Sequence, residues 1–231
     1  MKMVRLSTVG KEYAPGRFAL QRISFDLDRG EFAYITGFNG AGKSTLLKLL
    51  FAMEKATEGS IVVNNRELTS LSRQAVPQYR REVGFVFQDF KLLPDLTVGE
   101  NVSLPLEIRN MSKGEIEYRV RGVLSLVGLE DRLDDSPLAL SGGEQQRIAI
   151  ARSIVTKPIL LLADEPTGNL DNRTSREIMS LFQEIHEMGT TVLIATHDEL
   201  LMEDFPSRVI HLEKGQVVSD SGGKVITGGA A

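Results

Sequence analysis

Gly37-Phe38-Asn39-Gly40-Ala41-Gly42-Lys43-Ser44-Thr45 follows an apolar run, Phe32-Ala33-Tyr34-Ile35, and leads into a leucine-rich stretch, residues 46–53. The spacing is Gly-x-x-x-x-Gly-Lys-Ser, the pattern of a phosphate-binding loop between a strand and a helix. Glycines reach positive φ and let successive N–H groups approach an anion, and the next helix turns its positive end toward the same point. Lys43 adds a full charge, and the Ser44 hydroxyl suits a Mg²⁺ ion that also takes oxygens from β- and γ-phosphates. A glycine-rich turn with an incidental lysine would match these four positions in about 1% of chains this long. The loop therefore points to nucleotide binding, without saying what the nucleotide is for.

Two later stretches predict the chemistry around that loop. Ile159-Leu160-Leu161-Leu162-Ala163 is uninterrupted apolar sequence, as expected of a strand covered on both faces in a parallel sheet, and Asp164-Glu165 emerges at its end. In open α/β sheets ligands bind at that edge. Asp164 would hold Mg²⁺ through water and Glu165 would accept a proton from attacking water; the plain alternative is an acidic loop. A second buried strand, 191–195, delivers Thr196-His197-Asp198 to the same edge. A lone histidine is more often structural, but at a strand end His197 can hydrogen-bond a terminal phosphate and orient water.

The rest of the chain supplies the frame. Residues 3–8 and 22–27 alternate apolar and polar side chains, as do 60–63 before an Asn64-Asn65 turn, and these read as antiparallel strands. Tyr13 precedes the loop Ala14-Pro15-Gly16, where its ring would stack on a flat base or simply occupy a strand edge. A short strand, 82–88, ends in Gln88-Asp89. Beyond it the dense apolar segment 90–106, from Phe90 through Leu106, and the one-faced pattern Ile116, Val120, Val123, Leu124 and Val127 predict a mostly helical lobe over 89–153. Within it, Ser141 and Glu144 form a capping box, yet Gly142 and Gly143 in a first helical turn each cost about 1 kcal/mol against alanine. They imply close backbone approach to a second anion, or no more than a well-capped helix start. A helix with Ile178, Leu181, Phe182, Ile185 and Met188 on its apolar face ends at Gly189. The core lobe is expected at 1–88 and 154–220, and a frayed tail at 221–231.

With 231 residues, 42% of them hydrophobic, the chain can bury a sizeable core in one two-lobed unit. A formal charge of −4 with 27 scattered Lys and Arg argues against a nucleic-acid stripe, and the absence of cysteine excludes disulfides, thiol nucleophiles and zinc-thiolate sites. Residues 1–10 lack the apolar core of a signal peptide, and no apolar run approaches the roughly 20 residues that span a bilayer. The expectation is a soluble cytoplasmic protein that meets membranes only through a partner.

Taken together these stretches resemble the nucleotide-binding subunits of ABC transporters over nearly the whole chain. The resemblance identifies Tyr13 as the A-loop aromatic, residues 37–45 as Walker A and Gln88 as the Q-loop. Ser141, Gly142, Gly143 and Glu144 look like the ABC signature, Asp164 like the end of Walker B, and Glu165 like the catalytic glutamate. Asp171, in Asn169-Leu170-Asp171, looks like the D-loop and His197 like the H-loop. The fold implied is an α/β P-loop NTPase with a mostly parallel core sheet, an antiparallel β subdomain and an inserted helical subdomain. The activity implied is hydrolysis of ATP with Mg²⁺, catalysed by Glu165, His197 and Gln88. ATP is held by Tyr13, Gly37, Asn39, Gly40, Ala41, Gly42, Lys43, Ser44 and Thr45, and Mg²⁺ by Ser44, Gln88 and Asp164. One phosphate loop and one signature per chain imply a head-to-tail homodimer in which residues 141–144 and Asp171 of one copy complete the ATP site of the other.

Within the family, Val76-Pro77-Gln78-Tyr79-Arg80-Arg81 and Phe87-Gln88-Asp89-Phe90 resemble the bacterial cell-division branch, with a departure at Gly99, where that branch tends to carry a bulkier residue. This implies an integral membrane subunit resembling FtsX that engages residues 90–106, a peripheral place on the cytoplasmic face of the plasma membrane, and signalling to septal cell-wall hydrolases. ATPases of lipoprotein release and macrolide efflux share the signature and Walker B stretches and stand as the alternative. Two readings of other classes also remain: a P-loop phosphotransferase, which leaves the signature and Glu165 without roles, and a scaffold that binds ATP without hydrolysing it. Phosphate release at several protein concentrations separates them.

Overall fold

In the computed structural model, which describes residues 1–222, the chain opens with β1 (Lys2–Ala14) and β2 (Arg17–Asp28), an antiparallel hairpin. The strands run well beyond the alternating segments because the pairing is bulged: its register shifts several times, and Thr8 and Arg22 have φ of 49° and 51°. A bulge breaks the two-residue period, so the pattern in sequence stops there although the strand continues. β3 (Phe32–Thr36) leaves the hairpin for a second sheet and passes through the phosphate loop into α1 (Lys43–Leu50). β4 (Glu58–Val63) returns to pair with β1, and β5 (Arg66–Glu67) completes the order β2-β1-β4-β5.

After α2 (Val76–Arg80) and β6 (Val83–Val86) the chain is helical: α3 (Val98–Glu107), α4 (Lys113–Leu126), two 3₁₀ turns and α5 (Gly142–Ile154). β7 (Leu160–Asp164), α6 (Asn172–Glu187), β8 (Thr191–Ala195) and α7 (Glu199–Asp204) follow, then the hairpin β9 (Arg208–Glu213) and β10 (Gln216–Asp220). The second sheet has the order β10-β9-β3-β8-β7-β6 and is parallel except for β10.

Alternate residues of its central strands serve two cores. Ala33, Ile35, Leu160, Leu162, Leu193 and Ala195 pack with α1 and the antiparallel sheet, while Tyr34, Leu161, Ala163, Val192 and Ile194 pack with the helical lobe and α6. Both faces are covered, so these strands read as continuous apolar runs. The sheet thereby fixes the ends of β3, β7 and β8, where the candidate residues emerge.

Packing corrects one expectation, narrows a second and explains a third. Met188 is the C-cap of α6 and 62% exposed, so the buried face ends at Ile185. Val98, Val102 and Leu106 are fully buried in the helical lobe, whereas Leu93 is exposed and Leu104 and Pro105 are half-buried, so only part of the apolar segment 90–106 is open to a partner. Gly99 donates its N–H to the Leu133 carbonyl at 2.8 Å, and a Cβ there would stand 3.0 Å from Leu133 Cγ, which is why a small residue fits. At the end of the described chain, Ser221 donates to the Val209 carbonyl at 3.0 Å. The rest of the expected tail, 223–231, lies outside the described residues.

Candidate functional site

The loop after β3 is shaped by glycines in conformations that residues with a Cβ rarely adopt. Gly37, Gly40 and Gly42 have φ of 137°, 81° and 109°. A Cβ on Gly42 would lie 2.7 Å from the Ala19 carbonyl and 2.6 Å from Leu20 Cδ2, and one on Gly37 would run into the Leu212 carbonyl. The loop therefore wraps down onto α1, and Lys43, only 5% exposed, folds back to donate to the carbonyls of Gly37 at 2.8 Å and Phe38 at 3.5 Å.

The strand ends close around it. Lys43 Nζ lies 3.3 Å from Glu165 Oε1, and Glu165 Oε2 lies 3.2 Å from His197 Nδ1. Glu165 itself sits at φ 47°, an uncommon conformation for a non-glycine residue, with its N–H on the Ala195 carbonyl at 2.9 Å. The strain turns its carboxylate away from the line of β7 and into the cleft, and such strain gathers at functional sites. Ser44 Oγ donates to Asp164 Oδ1 at 2.9 Å. Burial pushes the Asp164 carboxyl above the usual range and the neighbouring Glu165 adds to this, with the Ser44 hydroxyl opposing them.

These groups open onto a cleft of about 350 Å³ lined by Ala19, Asn39, Gly40, Gly42, Lys43, Ser44, Thr45, Gln88 and Glu165. A larger cleft of about 800 Å³ lies between α3 and α4 and contains none of them; convergent chemistry, not size, marks the site. Gly37 and Ala41 lie beneath the loop: the Ala41 amide is used on Phe38 and its carbonyl by Gly215. Tyr13, half exposed, stands at the tip of the hairpin whose other strand supplies Ala19, with the Lys11 ammonium 4.8 Å from its ring centre.

The remaining candidates form a second, separate group. Ser141 caps α5: Glu144 Oε2 accepts from the Ser141 N–H at 2.9 Å and from its hydroxyl at 2.6 Å, which holds the Glu144 carboxyl below its usual range. Asp171 caps α6 and accepts from the Thr174 hydroxyl at 2.6 Å. A Cβ on Gly143 would meet the Thr174 methyl at 2.6 Å, so Gly143 and Asp171 meet at Thr174. None of residues 141–144 or Asp171 lines the cleft that holds Lys43.

Sequence reading missed Ala19, whose carbonyl helps require Gly42; a lone alanine carries no signal. It also missed the pairing of Asn101 and Arg152 with the segment after Gln88. Asn101, fully buried, exchanges hydrogen bonds with Leu93 and donates to the carbonyls of Leu96 and Thr97. Arg152 donates to the carbonyls of Phe90 and Lys91.

Two ligands, the Ser44 hydroxyl and the Asp164 carboxylate, stand together at the loop, and among the described residues no group of three or more His, Cys, Asp or Glu could hold a metal unaided. Such a sparse oxygen set fits Mg²⁺, which is held by one or two protein groups and completes its shell with water and phosphate oxygens.

Residues 20–168 match the family described as ABC transporter. The chain is 47% identical over 218 residues to the cell division ATP-binding protein FtsE of Bacillus subtilis, covering 94% of this chain and 96% of that one. It is 49% identical over 214 residues to the FtsE of Haemophilus influenzae, covering 92% and 98%. Among solved structures it is similar to a dimeric post-hydrolysis state of the ATP-binding cassette MJ0796 bound to ADP and Pi, with a TM-score of 0.87, 39% identity, and coverage of 94% of this chain and 97% of that one.

Proposed function

Because this chain belongs to the ABC transporter family and is an ATPase, we propose that it is the ATP-hydrolysing subunit of a bacterial cell-division complex. The observation that carries the reading is the Lys43–Glu165–His197 chain of contacts at 3.3 and 3.2 Å beside the Ser44–Asp164 pair, of which Lys43, Ser44 and Glu165 line one cleft with Gln88. Lys43 and the N–H groups of Gly40, Gly42 and Thr45 receive the phosphates of ATP. Glu165 takes a proton from water as the water oxygen bonds to the γ-phosphorus and the bond to ADP breaks; His197 holds Glu165 in place and contacts the γ-phosphate. Ser44 and Asp164 would hold Mg²⁺, whose charge offsets that on the β- and γ-phosphate oxygens.

The separate location of residues 141–144 and Asp171 supports assembly as a head-to-tail dimer. Their shared surface, tied together through Thr174, would close over the ATP of a second copy. The resemblance to FtsE supports a role in cell division rather than export, with the output passing to a membrane subunit resembling FtsX and on to septal cell-wall hydrolysis. No helix among the described residues is long and apolar enough to cross a membrane, so the chain would sit on the cytoplasmic face through that partner.

The docking surface best suited to the partner is a cleft of about 430 Å³ whose lining includes Phe51, Phe85, Phe87, Leu104, Pro105 and Ile108, with Arg80, Arg81 and Arg109 at its margin. Of the segment 90–106, Lys91, Leu104 and Pro105 line it. Phosphate release from the purified chain should rise in specific activity with protein concentration, and a rate per chain that stays flat would refute the dimeric site. Leu104→Glu should abolish co-purification with the membrane subunit while leaving that phosphate release in place; co-purification that survives it would refute this docking surface.

A further inference from the structure

Lys11 is a cation that the hairpin β1–β2 folds inward. Its side chain is only 11% exposed, and its ammonium lies 3.0 Å from Glu54 Oε2 and donates to the Lys55 carbonyl at 3.0 Å. An ammonium has three N–H donors, so these contacts leave one, and Nζ stands 4.8 Å from the centre of the Tyr13 ring, within reach of a cation–π contact. The backbone around it is fastened to the same segment. Glu12 N–H donates to Thr57 Oγ1 at 3.2 Å, and Thr57 N–H to the Gly10 carbonyl at 2.9 Å. The Glu12 carboxylate in turn accepts from the Gly16 N–H at 2.5 Å, which closes the hairpin tip on either side of Tyr13.

Residues 54–57 follow α1, the helix that begins at Lys43. Tyr13 is thus anchored beyond the far end of the element whose near end is the phosphate loop. Lys11 pairs across the hairpin with Leu20, and Leu20 Cδ2 stands 2.6 Å from where a Cβ on Gly42 would lie. Residues opposite one another across an antiparallel pair share a face, so Lys11 and the ring beside it stand on the face turned to the phosphate loop. A cation fixed on one face of the ring leaves the other face for a flat partner. It also spares that partner the cost of ordering a half-exposed side chain.

We propose that Lys11 is a positioning residue for the nucleobase: clamped by Glu54 and the Lys55 carbonyl, it holds the Tyr13 ring in the orientation on which the base of ATP stacks, without touching the nucleotide itself. This rests on the reading of Tyr13 as the residue that meets the base.

Lys11→Met keeps the stem and removes the charge. KM for ATP should rise about 3-fold to 10-fold, while kcat at saturating ATP and fixed protein concentration stays within about twofold. Inorganic tripolyphosphate, which carries the phosphates and no base, should compete with ATP for variant and parent with equal affinity. Lys11→Arg, whose guanidinium both stacks on aromatic faces and pairs with carboxylates, should bring KM back to within about twofold of the parent. The route is read from a double variant: Tyr13→Ala should raise KM by itself, and adding Lys11→Met should raise it no further. Should Lys11→Met not fold, Glu54→Gln carries the test, because it loosens the clamp and leaves Lys11 and Tyr13 in place; KM should rise about twofold or more with tripolyphosphate affinity kept. A parental KM in the folded variant, an equal weakening of ATP and tripolyphosphate, or additive effects in the double variant would overturn the proposal. A parental KM for Tyr13→Ala would instead overturn the reading of Tyr13 on which it rests.

Discussion

Replacing Glu165 by Gln separates the chemistry of the site from its binding. The Glu165 carboxylate lies 3.3 Å from Lys43 Nζ and 3.2 Å from His197 Nδ1, so glutamine keeps the size and one accepting oxygen but cannot take a proton from water. General-base help is typically worth 10² to 10⁴-fold, so kcat should fall by that factor, a barrier increase of about 3–5 kcal/mol. Binding should move the other way. Lys43 loses its carboxylate partner and keeps only the carbonyls of Gly37 and Phe38, which frees its charge for phosphate oxygens. ATP affinity should therefore be equal to or tighter than that of the parent. The nucleotide-free fold should weaken by about 1–3 kcal/mol, because a buried cation has lost its counter-charge. ATP at about 100 times its Kd should return about 2.7 kcal/mol of that. The assays are single-turnover phosphate release, equilibrium ATP binding, and thermal melts with and without ATP. Turnover at the parental rate would refute the proton-acceptor role. A large loss of ATP affinity with turnover per bound ATP unchanged would show that Glu165 serves binding instead.

Burial raises the Asp164 carboxyl above its ordinary 3.8, so its ionisation opposes folding: its support is complete below that value and is lost as pH rises through the raised one. Asp164→Asn should accordingly stabilise the nucleotide-free chain at pH 7 by about 1 kcal/mol in thermal or denaturant unfolding, while Mg²⁺-dependent turnover collapses; a destabilised variant would contradict the sign. Glu144 has the opposite sign, since the Ser141 hydroxyl and N–H hold its carboxyl low, and its support is present above pH 4.5 and lost as pH falls through the lowered value. Ser141→Ala should cost about 1 kcal/mol and flatten the acid limb of the stability profile, read by urea unfolding between pH 3 and 7. Gly142→Ala should raise the melting temperature by an amount worth up to about 1 kcal/mol and reduce the rise of ATPase activity with protein concentration. Gly143→Ala should lower the melting temperature by an amount worth about 1–3 kcal/mol.

The parallel sheet was legible because the cause of its strands is local: residues 160–164 and 191–195 are apolar throughout, since each strand is covered on both faces. The edge at which Asp164, Glu165 and His197 emerge follows from that reading alone. The bulged hairpin was half legible, because Thr8 and Arg22 take left-handed conformations that no residue type announces. The segment 90–106 was legible only in part, for a related reason. Leu104 and Leu106 are the same residue type, yet Leu106 is fully buried in the helical lobe and Leu104 lines a cleft; which of two leucines two positions apart faces inward depends on where α3 docks. Asn101 and Arg152 could not be read at all, since their partners are backbone carbonyls, which every residue carries.

The glycine pair shows how structure changes the weight of a sequence argument. Both glycines suggested bare backbone approaching an anion, but the reasons divide. Gly143 is required within its own chain: a Cβ would strike the Thr174 methyl, and Thr174 cannot swing aside without breaking its 2.6 Å hydrogen bond to Asp171. Its bareness therefore says nothing about phosphate. Gly142 meets only Leu170 Cδ2 at 3.7 Å, ordinary contact, at a helix position where alanine is intrinsically better by about 1 kcal/mol. Nothing among the described residues near Gly142 accounts for that cost. The demand for a bare backbone at 142 is met by nothing among the described residues, and neither Ser141 nor Gly142 lines the cleft that holds Lys43. On the proposed head-to-tail dimer, a second copy bringing its γ-phosphate there would supply the missing constraint, which makes Gly142 rather than Gly143 the residue whose substitution reports on the dimer.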